Sequence, residues 1–259
     1  MTRRRFYVPR DSIRNGIAAL PPTEAHHLRN VLRMKAGDVV EIFDNSGTGY
    51  TGEVKLNGSE VLVQNLKSIP SSESPFRLIL AAGLIKSAKF EWMLQKATEL
   101  GVDRIIPLKT RLSEILITDE KIEERKERWQ RIILEAAKQC KRSAAPRLEN
   151  PLDFAALLAA EEIFQCTKIL FHEKAAGPWQ PKGPLSDRII LCIGPEGGWD
   201  RSEVEQAGKA GYQICGLGPW TLRAETAAIA AISIVQHQIQ LLKSQKSEAN
   251  AASSGAEGS

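Results

Sequence analysis

The apolar positions of this chain change their rhythm once, near residue 75. Before that point they fall in short runs: Phe6-Tyr7-Val8, Val39 to Phe43, Gly49 to Lys55 and Val61-Leu62-Val63. Runs of this length, separated by Asp44-Asn45-Ser46-Gly47 and Asn57-Gly58, predict β-strands joined by tight turns. One helix interrupts them, capped by Thr23 and carrying Leu28, Val31 and Leu32 on one face up to about Met34. Short strands with tight turns favour a small barrel over residues 1–70. The segment Ile69-Pro70-Ser71-Ser72-Glu73-Ser74-Pro75 reads as a linker between two domains.

From Arg77 onward, continuous apolar runs alternate with stretches of helical period. Leu78 to Leu84, Arg104 to Leu108, Ile163 to Phe171, Ile189 to Ile193 and Tyr212 to Leu217 predict strands. Phe90, Met93, Leu94, Ala97 and Leu100 mark a helix that ends at Gly101, and Asp119 to Lys141 a longer one with Trp129 and Ile133 facing inward. Ser202 to Ala210 and Leu222 to Leu242 complete the helices. Such alternation implies an α/β domain over residues 76–243, a mostly parallel sheet covered on both faces. Residues 244–259 are small and polar and are expected to form a disordered tail.

Composition narrows the function classes. No apolar run approaches the length needed to span a membrane, and the N-terminus MTRRRFYVPR is basic without an apolar segment behind it. A cytoplasmic address follows as the expectation. Cys140, Cys166, Cys192 and Cys215 form no CxxC pair, and His26, His27, His172 and His237 add no zinc-like spacing, so no metal is expected. Charge is unevenly spread. Residues 76–147 carry 16 Lys/Arg against 10 Asp/Glu, whereas residues 148–259 carry 9 against 13. Residues 1–35 hold eight basic and two acidic residues. Two basic segments suggest a polyanionic partner, and RNA contacts are expected at Arg3, Arg4, Arg5, Arg10, Arg29 and Arg33 in the first. Lys86 and the cluster Lys141, Arg142 and Arg147 are the candidates in the second.

Three segments at strand ends could carry chemistry. Gly194-Pro195-Glu196-Gly197-Gly198 follows a buried strand and precedes a helix, so its backbone can approach a ligand closely. It lacks the Gly-Lys-Ser/Thr ending of a phosphate-binding loop, and no GxGxxG fingerprint follows a strand elsewhere. Gly216-Leu217-Gly218-Pro219-Trp220-Thr221-Leu222-Arg223-Ala224-Glu225-Thr226 repeats the arrangement of strand, glycine loop and helix. Gly83-Leu84-Ile85-Lys86-Ser87-Ala88-Lys89 ends the first strand of the domain and sets two lysines near the same sheet edge.

These segments, with Arg5-Phe6-Tyr7-Val8, His26-His27-Leu28-Arg29-Asn30-Val31-Leu32-Arg33 and Gln95-Lys96-Ala97-Thr98-Glu99-Leu100-Gly101-Val102, resemble the RsmE family of 16S ribosomal RNA uridine N3-methyltransferases, part of the trefoil-knotted SPOUT superfamily. The resemblance runs over nearly the whole chain. It implies a C-terminal α/β trefoil-knot domain behind an N-terminal PUA-like barrel, S-adenosyl-L-methionine as methyl donor, and a homodimer acting on 16S rRNA in the small (30S) ribosomal subunit. It also implies cofactor contacts at Leu170, His172, Gly194, Pro195, Glu196, Gly197, Leu217, Gly218, Leu222 and Thr226. One departure is visible: Trp220-Thr221-Leu222 stands where the family usually has an arginine and an aliphatic pair, which removes a positive charge from the pocket rim.

Methylating N3 of uridine develops negative charge on the uracil carbonyl oxygens, and a fixed guanidinium suits that charge. Arg223 is therefore the catalytic candidate, with Glu225 or Glu196 orienting it or accepting the imide proton. Three other readings remain open. A SPOUT ribose 2′-O-methyltransferase would carry an asparagine-containing final motif, which is absent after Leu217. A non-catalytic RNA-binding assembly factor would have lost the donor. A small-molecule methyltransferase would leave the basic segments unexplained.

Overall fold

Residues 3–70, 76–115, 119–175, 177–181 and 183–256 are described by a computed structural model. The first six strands are β1 (Arg5–Tyr7), β2 (Ile13–Arg14), β3 (Ile17–Ala19), β4 (Val39–Phe43), β5 (Gly49–Asn57) and β6 (Glu60–Ile69). They hydrogen-bond in the order β1-β4-β5-β6-β3-β2, with β1 parallel to β4 and the remaining pairs antiparallel. Alternate positions of β4 and β5 turn Val40, Ile42 and Val54 inward onto Phe6, Leu28 and Val63, forming a half-barrel core. The hairpin β2–β3 escaped the sequence reading although Asn15-Gly16 is a strong turn signal, and both residues do adopt positive φ. Its strands are two and three residues long, too short for a visible alternation.

Thr23 is not the helix cap. The N-cap of α1 (Pro22–His26) is Pro21, and Pro22 occupies the first helical position, where its ring already fixes φ and its missing N–H costs nothing. A wider π-type turn, His27–Val31, continues the helix.

The second domain contains β7 (Arg77–Gly83), α2 (Ser87–Glu99), β8 (Arg104–Lys109), α3 (Asp119–Gln139), β9 (Arg147–Leu148), β10 (Leu152–Asp153), α4 (Phe154–Ala159), α5 (Glu161–Phe164), β11 (Thr167–Phe171), β12 (Arg188–Ile193), α6 (Arg201–Lys209), β13 (Gln213–Cys215) and α7 (Ala224–Ala256). Every pairing is parallel, in the order β10-β8-β7-β12-β11-β13, with β9 also on β8. The period of two splits these apolar strands between two cores. Leu78, Leu80, Ile189, Leu191 and Ile193 face α2, α3 and α7, whereas Ile79, Ala81, Ile190 and Cys192 face α4 and α6. A three-layer α/β/α domain results.

The chain passes from β7 to its neighbour β8 and from β11 to its neighbour β12, but β12 inserts between β7 and β11, and β13 is added outside β11 at the edge. After the edge strand β13 it runs against the β11–β12 connection, where the Gly216 N–H donates to the Gly177 carbonyl at 2.7 Å. It then returns to the middle of the sheet as α7, which packs on β12 and α2. This is the crossing expected of a trefoil-knotted domain.

Two expectations change. Ile163 to Phe171 is not one strand: Ile163 and Phe164 close α5, and β11 starts at Thr167. A short apolar run is ambiguous between a buried helix and a strand, and here the tertiary contacts decide. The expected disordered tail is also overturned over most of its length, since α7 continues to Ala256. Ser244 to Ser254 contains no proline or glycine and is rich in alanine and other helix formers, so extending a nucleated helix is cheap. Residues 71–75 of the expected linker lie outside the described residues.

The second basic segment joins the two domains. Arg5, its side chain only 8% exposed, donates to the Arg142 carbonyl at 3.1 Å and to Ser143 Oγ at 3.0 Å. Burial lowers its pKa, and Glu41 at 3.5 Å offsets part of that effect. Arg142 donates to the carbonyls of Thr98 and Val102 at 3.1 and 2.6 Å, closing the end of α2. Lys138 pairs with Glu24 across the same boundary. Arg5 and Arg142 thus hold the fold together instead of facing RNA phosphates. Arg29 is equally engaged, donating to the Gly58 and Glu60 carbonyls at 2.7 Å each and fixing the β5–β6 turn. Among the described residues no helix is long and apolar enough to cross a membrane.

Candidate cofactor and RNA site

Strands β11, β12 and β13 all end at one edge of the sheet, and a cavity of about 520 Å³ opens there. The carboxyl edge of a parallel sheet collects the loops that leave each strand, and these loops supply most of the wall.

The first loop, after β12, is the turn Gly194–Gly198. Gly198 takes φ +73°, and its N–H closes the turn onto the Pro195 carbonyl at 2.9 Å. Trp199 then pins the turn to the neighbouring strand, its indole N–H donating to the Phe171 carbonyl at 3.0 Å. A side chain at 194 would bring a Cβ within 3.1 Å of that indole nitrogen. Across the sheet, Gly83 ends β7 so close to the turn that a Cβ there would lie 2.6 Å from the Pro195 nitrogen. Gly83 is therefore demanded by close approach of backbone to backbone, and Gly194 is tightly flanked by the Gly198 backbone and the Trp199 indole. Past the turn, Asp200 and Glu203 form a capping box that starts α6. Glu203 also accepts from the Arg111 N–H at 3.0 Å, tying in the loop after β8, whose Leu112 reaches the cavity wall.

The second loop follows β11, where the His172 N–H donates to the Cys215 carbonyl at 2.9 Å. Phe171, His172, Glu173 and Lys174 line the cavity. The third follows β13. Gly218 adopts φ +129°, and a Cβ there would meet no atom within 4 Å. Leu217, Gly218, Trp220, Thr221, Leu222, Arg223, Ala224 and Ala227 complete the wall.

The structure brings most of the sequence candidates together. His172, Gly194, Pro195, Glu196, Gly197, Leu217, Gly218 and Leu222 all border the cavity, and Arg223 is exposed on its rim. Leu170 does not. It sits one residue out of phase, its side chain buried with Ile190 and Cys192 in the opposite core, and Phe171 takes its place. Thr226 is also off the wall, because the helical period presents Ala224 and Ala227 instead.

Glu225 is buried and away from the wall. One of its oxygens lies 4.0 Å from Lys89 Nζ, and the other has no hydrogen-bond partner. The same ammonium lies 3.7 Å from Glu196, which also accepts from the Lys86 N–H at 3.4 Å. Lys89, in the first turn of α2, thus links the β12 turn to the start of α7. Its position near the sheet edge was visible in the sequence; its two carboxylate partners, more than 100 residues away, were not. Leu112 gave no signal at all.

Of the RNA candidates, Arg3, Arg4, Arg10, Arg33, Lys86 and Lys141 are exposed. Arg147 is 77% exposed while paired with Glu149 at 2.9 Å. Cys166, Cys192 and Cys215 are buried, and burial pushes the Cys192 thiol far up. That suits inert core packing. Among the described residues no group of three or more His, Cys, Asp or Glu side chains could hold a metal ion.

Comparison with known proteins agrees with this geometry. A profile of the RNA methyltransferase domain matches residues 72–236, and one of the RNA methyltransferase PUA domain matches residues 20–64. The ribosomal RNA small subunit methyltransferase E of Bacillus subtilis is 33% identical over 231 residues, covering 85% of this chain and 90% of that protein. Two solved structures superpose closely. A methyltransferase from Legionella pneumophila, in complex with the bound cofactor SAM, gives a TM-score of 0.82 at 30% identity over 92% of this chain and 98% of its own. The ribosomal RNA small subunit methyltransferase E of Neisseria gonorrhoeae, bound to S-adenosyl methionine, gives 0.83 at 28% identity over 91% and 98%.

Proposed function

Because the chain belongs to the ribosomal RNA small subunit methyltransferase E family, we propose that it moves the methyl group of S-adenosyl-L-methionine to N3 of a uridine in the decoding region of 16S rRNA. The observation that carries this reading is the cavity formed where three adjacent parallel strands end, with an exposed arginine on its rim. The lining fits the cofactor. About 520 Å³ lies within the range of small-molecule pockets. Ile193, Leu217, Leu222 and Ala227 offer apolar surface to a flat ring, Gly218 leaves its backbone open, and Glu196 is an anion suited to a sulfonium. When bound, the cofactor supplies an electrophilic methyl group.

The residues of the chain do the rest. The three loops hold the donor against an unstacked base, and that positioning supplies much of the rate. N3 takes the methyl group while its proton leaves to water at the open mouth. Arg223 donates to the uracil carbonyl oxygens as they gain charge. Glu225, turned from the cavity and facing Lys89, positions the start of α7 and with it Arg223. The exposed Arg3, Arg4, Arg10, Arg33, Lys86 and Lys141 contact phosphates of the RNA. The working particle is a cytoplasmic homodimer acting on the 30S subunit.

Arg223→Ala tests the assignment. Methyl incorporation into unmodified small subunits should fall about 100-fold or more, with the dissociation constant of S-adenosylmethionine nearly unchanged in calorimetry. Turnover near that of the parent protein would remove Arg223 from the reaction. Mass spectrometry of the product nucleosides must show N3-methyluridine, and a 2′-O-methyl product would overturn the choice of atom.

A further inference from the structure

Trp220 is 78% exposed, more than any other large hydrophobic side chain among the described residues. A ring that bare forgoes the stabilisation that burial of an aromatic normally brings. It is nevertheless held in place. Gly218 takes a conformation that few other residues adopt, Pro219 fixes the next φ, and Leu222 is anchored in the cavity wall two residues later. The loop therefore presents the indole at the cavity mouth. Three residues on, Arg223 is exposed on the same rim. An aromatic face and a guanidinium bordering one opening can take a single flat heterocycle, one by stacking and the other by donating to its carbonyl oxygens.

We propose that Trp220 is a substrate-contacting residue that stacks on the unpaired target base at the mouth of the cavity. This rests on the methyltransferase reading above. Stacking on an aromatic face is insensitive to salt, whereas each phosphate contact steepens the salt dependence of RNA binding.

Steady-state methylation of unmodified small ribosomal subunits tests this with the full chain and three variants. Trp220→Ala should raise KM for the subunit on the order of tenfold, consistent with the cost of losing one stacked base, while the dissociation constant of S-adenosylmethionine stays the same. Trp220→Phe should retain most of the parent KM, since it keeps a stacking face. Trp220→Arg should make log KM rise more steeply with log salt concentration, by roughly 0.7 in slope for one added phosphate contact on single-stranded RNA. An unchanged KM in Trp220→Ala, with methylation by the parent protein intact, overturns the stacking role and leaves the methyltransferase reading standing. A matching loss of cofactor binding overturns it too, as does a change of molecular mass in light scattering, because the ring would then serve the pocket or a subunit contact. If the parent protein methylates no RNA, both proposals fall together.

Discussion

At the scale of single residues, the site is governed by what cannot be added. Gly83 and Gly194 occupy places where strand ends and turn touch backbone to backbone, and neither is required there by an unusual φ. Gly83→Ala would press a methyl group against the Pro195 nitrogen. Overpacking of this kind costs about 1–3 kcal/mol, and the strain falls on the turn that borders the cavity. Thermal unfolding should show the loss of stability, and calorimetry a weaker affinity for S-adenosylmethionine. Unchanged affinity would mean that the turn is not part of the cofactor wall. Phase matters as much as size. Leu170 and Phe171 are neighbours in sequence, yet alternation along β11 puts one in the far core and the other on the cavity wall.

At the scale of elements, small ionic links fix helices to the sheet. Arg104 on β8 donates to Glu149 after β9 and to Glu162 on α5, both at 2.7 Å. The hydrogen bond from Arg104 lowers the Glu162 pKa below its ordinary 4.5, and Glu162 in turn raises that of Arg104. A carboxyl whose folded pKa lies below the unfolded one adds stability above the unfolded value and loses it as pH falls through the folded value. The contribution should thus be present at neutral pH and fade below about pH 4.5, the ordinary value. Glu162→Gln should flatten the acid limb of the melting temperature against pH and leave the alkaline limb alone. The change should be small, because Glu162 is half exposed and solvent screens the pair. An identical acid limb in the variant would show that the link adds nothing measurable.

At the scale of the whole molecule, the barrel and the α/β domain are joined through the loop after α3. Arg142 donates to the carbonyls of Thr98 near the end of α2 and of Val102 just past it, while its own carbonyl accepts from Arg5 of β1. Removing its guanidinium takes a charged donor from two part-buried hydrogen bonds, and hydrogen bonds from charged groups contribute about 1.5–3 kcal/mol each. Arg142→Ala should lower the melting temperature and speed hydrogen exchange in both β1 and the end of α2. It should also weaken RNA binding more than cofactor binding, because Arg142 anchors the barrel beside Val102 and Asp103 at the amino end of β8, whereas the cavity opens past the carboxyl ends of β11, β12 and β13. Loss of RNA affinity without loss of stability would return Arg142 to the role of a phosphate contact.

Local chemistry determined a good deal of this protein. The change of apolar rhythm near residue 75 marked a β domain followed by an α/β domain, since periods of two and 3.6 depend only on backbone geometry. Glycines placed directly after apolar runs marked the strand-end loops, and Gly194, Gly197, Leu217, Gly218 and Arg223 do meet around one cavity. What local chemistry could not determine was which distant groups satisfy each other. A basic side chain reads the same in sequence whether it faces RNA or a buried carbonyl, so Arg5, Arg29 and Arg142 looked like surface charges until the fold put acceptors beside them. The same holds for Lys89 between Glu196 and Glu225, and for a helix that runs past Leu242 to Ala256. Long-range pairing is a property of the path of the chain, and only the tertiary structure contains it.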